Sequence, residues 1–183
     1  MNGLVDHLRR EDLERQSSRL RIVEDRADVG EVRLRGVDRD PREQLVVESH
    51  VLVVGLGGVG AYAAELICRA GVGKMTIVDK DVVSASNRNR QIAALVSTEG
   101  RPKTEIMSQR LLDINPALKL EAVFDFMKDE KTPRLLDAHR YDYVVDAIDT
   151  LAPKVHFIAA VVKRGLPLVS SMGAGGRLDP QLV

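Results

Sequence analysis

The amino-acid sequence predicts an α/β fold, a Rossmann-like, doubly wound and mainly parallel sheet with helices on both faces. Three observations predict it. From His50 onward, β-branched apolar runs alternate with helical patterns. A glycine cluster, Gly55-Leu56-Gly57-Gly58-Val59-Gly60, stands where the first run meets the first helical pattern. An acid, Asp79, closes the second run.

Each element follows from its own pattern. VLVVG is a buried strand by its β-branched run, and VGAYAAELICRAG is a helix stopped by Gly71 and Gly73. KMTIVD is the second strand. PKTEIMSQRLLDINP is a helix with Pro102 at its start, an apolar face through Ile106, Leu111 and Leu112, and Pro116 beyond its end. KLEAVF is the third strand, and DYVVDAI the fourth after a short helical piece around Arg134 to His139. LAPKVHFIAAVVKRG is another helix and PLVSSM the fifth strand. Strands alternating with helices imply βαβ units, whose parallel sheet must be covered on both faces. Right-handed crossovers then give the doubly wound arrangement.

Length and composition bound the rest. The 183 residues, 44% of them apolar, suffice for one domain with a sizeable core. Residues 1–48 are expected to be a charged arm, partly helical or disordered, and residues 49–183 a nucleotide-binding domain. The first fifty residues hold 22 charged side chains, ten of them arginine and none lysine. Within them Leu4, Leu8 and Leu13 could mark one helix face. GAGGRLDPQLV reads as the start of further structure, with Arg177 to Val183 a strand lacking a partner in view. The chain is therefore expected to be a piece of a longer one, with a short natural product as the alternative.

A net charge of zero and a pI near 6.9 supply no global field to recruit nucleic acid or an anionic membrane. Any polyanion must be held by a local patch. Cys68 is the only cysteine, which excludes a disulfide framework and a CxxC zinc signature and fits a reducing, cytoplasmic location. Met1 to Arg10 carries acids and lacks an apolar run, so no secretory leader is expected. Val51 to Cys68 is apolar apart from Glu65, but its glycine cluster breaks it into strand, turn and helix rather than a membrane span.

Glycine is needed between strand and helix because the turn is tight and the backbone must approach a phosphate. The helix N-terminus adds free N–H groups and partial positive charge. Asp79 lies where an acid takes ribose hydroxyls. This much fits NAD or ATP. A dinucleotide pyrophosphate carries about two charges, which backbone N–H groups can balance. ATP carries about four and calls for cations and a divalent metal. In SNRNRQ, Arg88 and Arg90 come nine and eleven residues after Asp79, and Lys103 follows thirteen beyond Arg90 at a helix start. Asp149 ends the fourth strand in DAIDT, where a hard oxygen ligand suits Mg²⁺. Asp149 could instead cap the next helix, Asp146 could be structural, and Arg88 reads equally as a surface residue.

GLGGVG, VDKDVVSASNRNRQ, GRPKTE, INP and DAIDT together resemble the adenylating domain of the ubiquitin-activating superfamily, the ThiF/MoeB fold. NRNRQIAAL, DAIDTLAPK and SSMGAGGRLDP resemble its branch of tRNA threonylcarbamoyladenosine dehydratases. The likeness covers roughly Ser49 to Pro180, and a histidine usual in that group is Ala93 here. The resemblance implies that Gly55, Gly57 and Gly58 line the nucleotide and Asp79 holds the ribose. Asn87, Arg90 and Lys103 would hold the triphosphate, Gln91 would support the loop, and Asp149 would bind Mg²⁺. Arg88 falls at a variable position. The resemblance further implies ATP as cosubstrate, a homodimer, tRNA as the partner bearing the substrate, and a sulfur-relay protein as a further partner. An arginine from one subunit would complete the other's site, and in GEVRLRG, Gly30 to Gly36, the candidate is Arg33.

Three alternatives share these residues. The same site could adenylate the C-terminus of a ubiquitin-like or sulfur-carrier protein. The chain could be a nonenzymatic nucleotide-binding or dimerisation module. A NAD-dependent oxidoreductase lacks any residue resembling a hydride-transfer acid or base.

Overall fold

A computed structural model describes residues 21–22, 41–125 and 130–172 of the chain. The strands are β1 (Arg21–Ile22), β2 (His50–Val54), β3 (Lys74–Asp79), β4 (Lys119–Phe124), β5 (Tyr143–Asp146) and β6 (Leu168–Ser170). The helices are α1 (Pro41–Glu48), α2 (Gly60–Arg69), α3 (Lys103–Ile114), α4 (Lys131–Ala138) and α5 (Leu151–Lys163). Leu4, Leu8, Leu13, Arg33 with its flanking GEVRLRG, and the strand expected over Arg177–Val183 lie outside the described residues.

One sheet runs in the order β1-β4-β3-β2-β5-β6. The last five of these are parallel, as the sequence predicts, and β1 adds a two-residue antiparallel edge on β4 through Arg21↔Ala122 and Ile22↔Glu121. The edge strand comes from within the charged arm, where composition gives no strand signal.

The continuous apolar runs become central strands because both faces are covered. Val51, Val53, Met75 and Ile77 pack with Ala61, Ala64 and Cys68 of α2 and Met107 and Leu111 of α3. Leu52, Val54, Val78 and Val144 pack on the other face with Leu135 and Leu136 of α4 and Phe157 and Val161 of α5. Phe157, Leu52, Ile77, Met107 and Leu111 are fully buried, each worth roughly 1.5–3 kcal/mol of apolar burial. Cys68 sits in this core and its thiol donates to Leu111 O at 3.3 Å, so burial pushes its pKa up and it is no nucleophile.

The chain builds β2, β3 and β4 outward in one direction, then returns to the opposite flank of β2 for β5 and β6. That reversal leaves a crevice at the carboxyl ends of β2 and β5, the switch point where ligands of such sheets bind. The segment from Asp79 to Lys103 folds back on itself beside it. Two 3₁₀ turns, Ala85–Asn87 and Val96–Thr98, shape it. A bridge pairs Val82 with Pro102, and Val83 N donates to Arg101 O at 2.9 Å.

At the opposite edge, His50, Thr76, Glu121, His139 and Tyr141 form a polar cluster. His50 Nε2 and Thr76 Oγ1 are 2.9 Å apart, His139 Nε2 and Glu121 Oε2 2.8 Å, and the rings of His50 and Tyr141 are 4.7 Å apart. Among the described residues no helix is long and apolar enough to cross a membrane.

Burial pushes the Tyr141 phenol from 10 up to about 12. A folded-state value above the unfolded one favours the neutral form. Its stabilisation is therefore complete below pH 10 and is lost as pH rises to about 12, by roughly 3 kcal/mol. Urea unfolding across that window is expected to show this loss in the parent and a shallower one in Tyr141→Phe. Equal slopes in the two chains would refute the assignment.

Candidate functional site

The turn from β2 into α2 is built by contacts that only glycine permits. Gly55 has φ +92°, and a Cβ there would lie 2.6 Å from Ala147 O. A Cβ on Gly60 would lie 1.8 Å from Gly55 O and 2.9 Å from Ala147 Cβ. Both glycines are thus demanded by the packing of the turn against the end of β5. Gly57 and Gly58 differ. A Cβ on Gly57 would meet only Gln91 Nε2 at 3.9 Å, and one on Gly58 would meet Arg90 O at 3.4 Å and Arg90 Cγ at 3.5 Å. A Cβ is thus accommodated at Gly57 and sits at the edge of ordinary contact at Gly58, so packing does not demand glycine at Gly57. Val59, the residue ahead of α2, makes no side-chain cap, and in the first turn Ala61 N–H donates to Gly57 O at 3.3 Å.

Asp79 is nearly buried, and both its oxygens accept backbone N–H groups. Oδ2 takes Leu56 N–H at 2.6 Å and Oδ1 takes Asp81 N–H at 2.7 Å. Burial pushes its carboxyl above the ordinary aspartate range, against the pull of those two donors and of Lys103. The acid expected to hold a ribose therefore also ties the glycine turn to the end of β3. Each oxygen keeps a second lone pair for a hydroxyl.

The cations separate by environment. Lys103 is 4% exposed, and its ammonium donates to Asp81 Oδ2 at 3.0 Å while its backbone N–H donates to Asp81 O at 3.0 Å. The folded-back loop thus brings this lysine to the carboxyl edge of the sheet from 22 residues away in sequence. Arg90 is exposed and lies against Gly58, with Nη1 donating to Ser86 O at 3.2 Å and Asn89 Oδ1 at 3.0 Å. Arg88 instead pairs with Glu99 at 3.1 Å on the surface. Exposed pairs of that kind contribute about 0.2–1 kcal/mol, so the pair with Glu99 holds Arg88 only weakly.

The amides hold the loop. Asn87 Oδ1 accepts Ser84 N–H at 3.2 Å, and its carbonyl accepts Gln91 N–H at 2.9 Å. Gln91 is 7% exposed beside Gly57, and its Oε1 has no partner among the described residues. A buried, unpartnered amide atom next to a glycine turn fits a ligand that supplies the missing hydrogen bond. Ala93, at the histidine position, is buried, and its carbonyl accepts the Thr98 hydroxyl at 2.7 Å.

Asp149 and Asp146 also separate. Thr150, not Asp149, is the residue ahead of α5, and it makes no side-chain cap. Asp149 is exposed, and its Oδ1 accepts the Thr150 hydroxyl at 3.1 Å. Helix capping therefore does not explain Asp149. Asp146 is fully buried and accepts Lys154 Nζ at 2.6 Å, the Ser170 hydroxyl at 2.7 Å and Ile148 N–H at 3.0 Å. Among the described residues no three histidine, cysteine or acidic side chains gather to hold a metal. A lone exposed carboxylate suits Mg²⁺ arriving with phosphates and keeping its waters, rather than a resident ion.

Asp81, Lys154 and Ser170 belong to this edge and were not foreseen from sequence. A signal existed for Lys154. A lysine in the first turn of a helix opposes the dipole, so it implies a carboxylate partner, as it does for Lys103. A surface depression of about 330 Å³ lies elsewhere, between Val47, Glu48, Gly73, Lys74, Ala117 and Lys119. It faces the amino ends of β3 and β4, away from the glycine turn.

Comparison with known proteins locates the chain among relatives. Residues 30–182 match the ThiF family. The tRNA threonylcarbamoyladenosine dehydratase of Bacillus subtilis is 46% identical over 132 residues, 72% of this chain and 52% of the relative. The molybdopterin-synthase adenylyltransferase of Escherichia coli is 38% identical over 149 residues, 81% of this chain and 58% of the relative. The crystal structure of the Escherichia coli tRNA N6-threonylcarbamoyladenosine dehydratase TcdA in complex with ATP superposes with TM-score 0.72 at 42% identity, covering 76% of this chain and 57% of that one. The chain thus spans about half the length of the dehydratases it matches.

The two classes of glycine can be told apart by experiment. Gly60→Ala is expected to prevent folding or lower the melting temperature sharply, because it drives a methyl group into backbone. Gly57→Ala is expected to fold with a parent-like circular dichroism melt and to lose nucleotide affinity. A Gly57→Ala chain that binds ATP as the parent does would remove the ligand from this turn.

Proposed function

We propose, from the premise that the chain belongs to the ThiF family, that its glycine turn binds ATP and that the protein activates a carboxylate by adenylation. The observation that carries this reading is a pair of cations beside the residues that hold the glycine turn. Lys103 is buried, bonded to Asp81 and close enough to Asp79 to pull on its carboxyl, and Arg90 lies against Gly58. Backbone N–H groups can balance a pyrophosphate, but the larger charge of a triphosphate needs such cations.

The substrate in this reading is the threonyl carboxylate of threonylcarbamoyladenosine in tRNA, as the 46% identity to the Bacillus subtilis dehydratase supports. A carboxylate oxygen attacks the α-phosphorus, the bond to the β-phosphate oxygen breaks, and pyrophosphate leaves. The neighbouring carbamoyl group then attacks the activated carbonyl, AMP departs, and the ring closes with net loss of water. The first step asks the protein for in-line placement and charge neutralisation rather than a nucleophile. Lys103 and Arg90 meet the phosphates, Asn87 and Gln91 hold the loop that carries Arg90, and Asp79 meets the ribose. Asp149 would hold Mg²⁺, which when bound would add charge neutralisation on the phosphates.

A homodimer in which Arg33 of a second copy completes the site belongs to the same reading, and the family match from residue 30 takes that arginine in. So does a cytoplasmic location. A second reading, adenylation of a sulfur-carrier C-terminus, is favoured by the 38% identity to the molybdopterin-synthase adenylyltransferase over 149 residues.

Exchange of labelled pyrophosphate into ATP tests both. With tRNA bearing threonylcarbamoyladenosine, exchange is expected in the parent, to fall about 100-fold or more in Arg90→Ala, and to persist in Arg88→Ala. Exchange elicited by a sulfur-carrier protein and not by the tRNA would replace the first reading with the second. Exchange with neither would refute adenylation.

A further inference from the structure

Two buried partners and one half-buried partner converge where β5 ends. Asp146 is 0% exposed and Lys154, from the first turn of α5, is 4% exposed. Their 2.6 Å ion pair is joined by the Ser170 hydroxyl of β6 at 2.7 Å. Both polar groups of the Ile148 peptide plane pair are taken by the same two side chains. Asp146 Oδ1 accepts Ile148 N–H at 3.0 Å, and Lys154 Nζ donates to Ile148 O at 3.1 Å. The next residue is Asp149. Behind this turn, Ala147 N donates to Val54 O at 2.8 Å, and Ala147 O occupies the place where a Gly55 side chain would begin. The turn therefore cannot slide toward the glycine loop, and the ion pair stops it from peeling away.

A buried ion pair is an expensive way to hold a fold together, since apolar residues of similar volume often stabilise as well or better. What an apolar pair cannot do is hydrogen-bond the Ile148 N–H and carbonyl at once. We propose that Asp146 and Lys154 form a clasp whose function is to fix the Ala147–Ile148 turn against Gly55 and so to position Asp149, the next residue, for magnesium–ATP. They are positioning residues, acting through the Ile148 backbone and touching no substrate. Ser170 completes the clasp by tying it to β6. This role rests on the reading of Asp149 as the magnesium-binding carboxylate.

The discriminating variant is the charge-free double substitution Asp146→Leu with Lys154→Met, which leaves no unpaired buried charge. ATP affinity is measured by calorimetry with magnesium and with EDTA, alongside the melting temperature and amide hydrogen exchange of Ile148 and Asp149. The double variant is expected to fold with a modestly lowered melting temperature, because the Ile148 N–H and carbonyl lose their side-chain partners. The factor by which magnesium tightens ATP binding should fall about 10–100-fold, to the level of Asp149→Asn, while affinity in EDTA stays unchanged. Amide exchange at Ile148 and Asp149 should accelerate, and Lys154→Arg should recover part of the magnesium effect. A folded double variant that keeps the full magnesium effect overturns the clasp. If the double variant fails to fold, Lys154→Met decides, because it removes the bond to Ile148 O and leaves Asp146 its Ser170 and Ile148 N–H partners. A reduced magnesium effect supports the clasp and an unchanged one overturns it. Magnesium-dependent ATP affinity without pyrophosphate exchange would refute adenylation and support the clasp's premise. ATP affinity indifferent to magnesium in the parent would overturn the clasp itself.

Discussion

The site depends on one close approach. The turn after β2 crosses the end of β5 with no space for a Cβ, since Gly60 would place one 1.8 Å from Gly55 O and Gly55 would place one 2.6 Å from Ala147 O. This contact sets the entry of α2 and how near the β5 turn stands to the glycine turn. Asp79 secures the turn from the other flank through Leu56 N–H. Two neighbouring strands thus hold one loop from opposite sides, one by shape and one by a charged acceptor.

Around that contact the charges fall into two kinds. Asp146 and Lys154 are both desolvated and bonded to backbone, so their geometry is locked. Lys103 is buried, but its partner Asp81 is about half exposed, and Arg90 is exposed with hydrogen bonds only to its own loop. Groups of the second kind can exchange a carboxylate or carbonyl partner for a phosphate at small cost, because water and the incoming anion both compensate them. The rigid kind shapes the crevice, and the adaptable kind can answer the ligand. Asp79 lies between them, buried enough for its carboxyl to be pushed up yet still carrying lone pairs toward the crevice.

Much of this was legible residue by residue. The β-branched runs VLVVG and KMTIVD could only be two-face-buried strands, and the glycine cluster between strand and helix announced the turn. Arg88 and Arg90 could not be ranked by spacing, because both are arginines in one loop. They separate once Glu99 takes the first and Gly58 adjoins the second. Asp149 and Asp146 were likewise ambiguous, and burial divides them into one exposed carboxylate and one buried acceptor. The edge strand Arg21–Ile22 gave no local signal, since two residues carry no periodicity and its hydrogen bonds come from β4.

The sequence by itself determined the alternation of elements and the mainly parallel sheet. Those follow from hydrophobic period and chirality, which are local properties of the chain. Only the tertiary structure decided that the packing of the turn demands glycine at Gly55 and Gly60 and not at Gly57. It also decided that Asp81 faces Lys103 and that Lys154 reaches back to Asp146. Such pairings join residues distant along the chain across the ends of separate strands, where the sheet rather than the sequence spacing sets the distance.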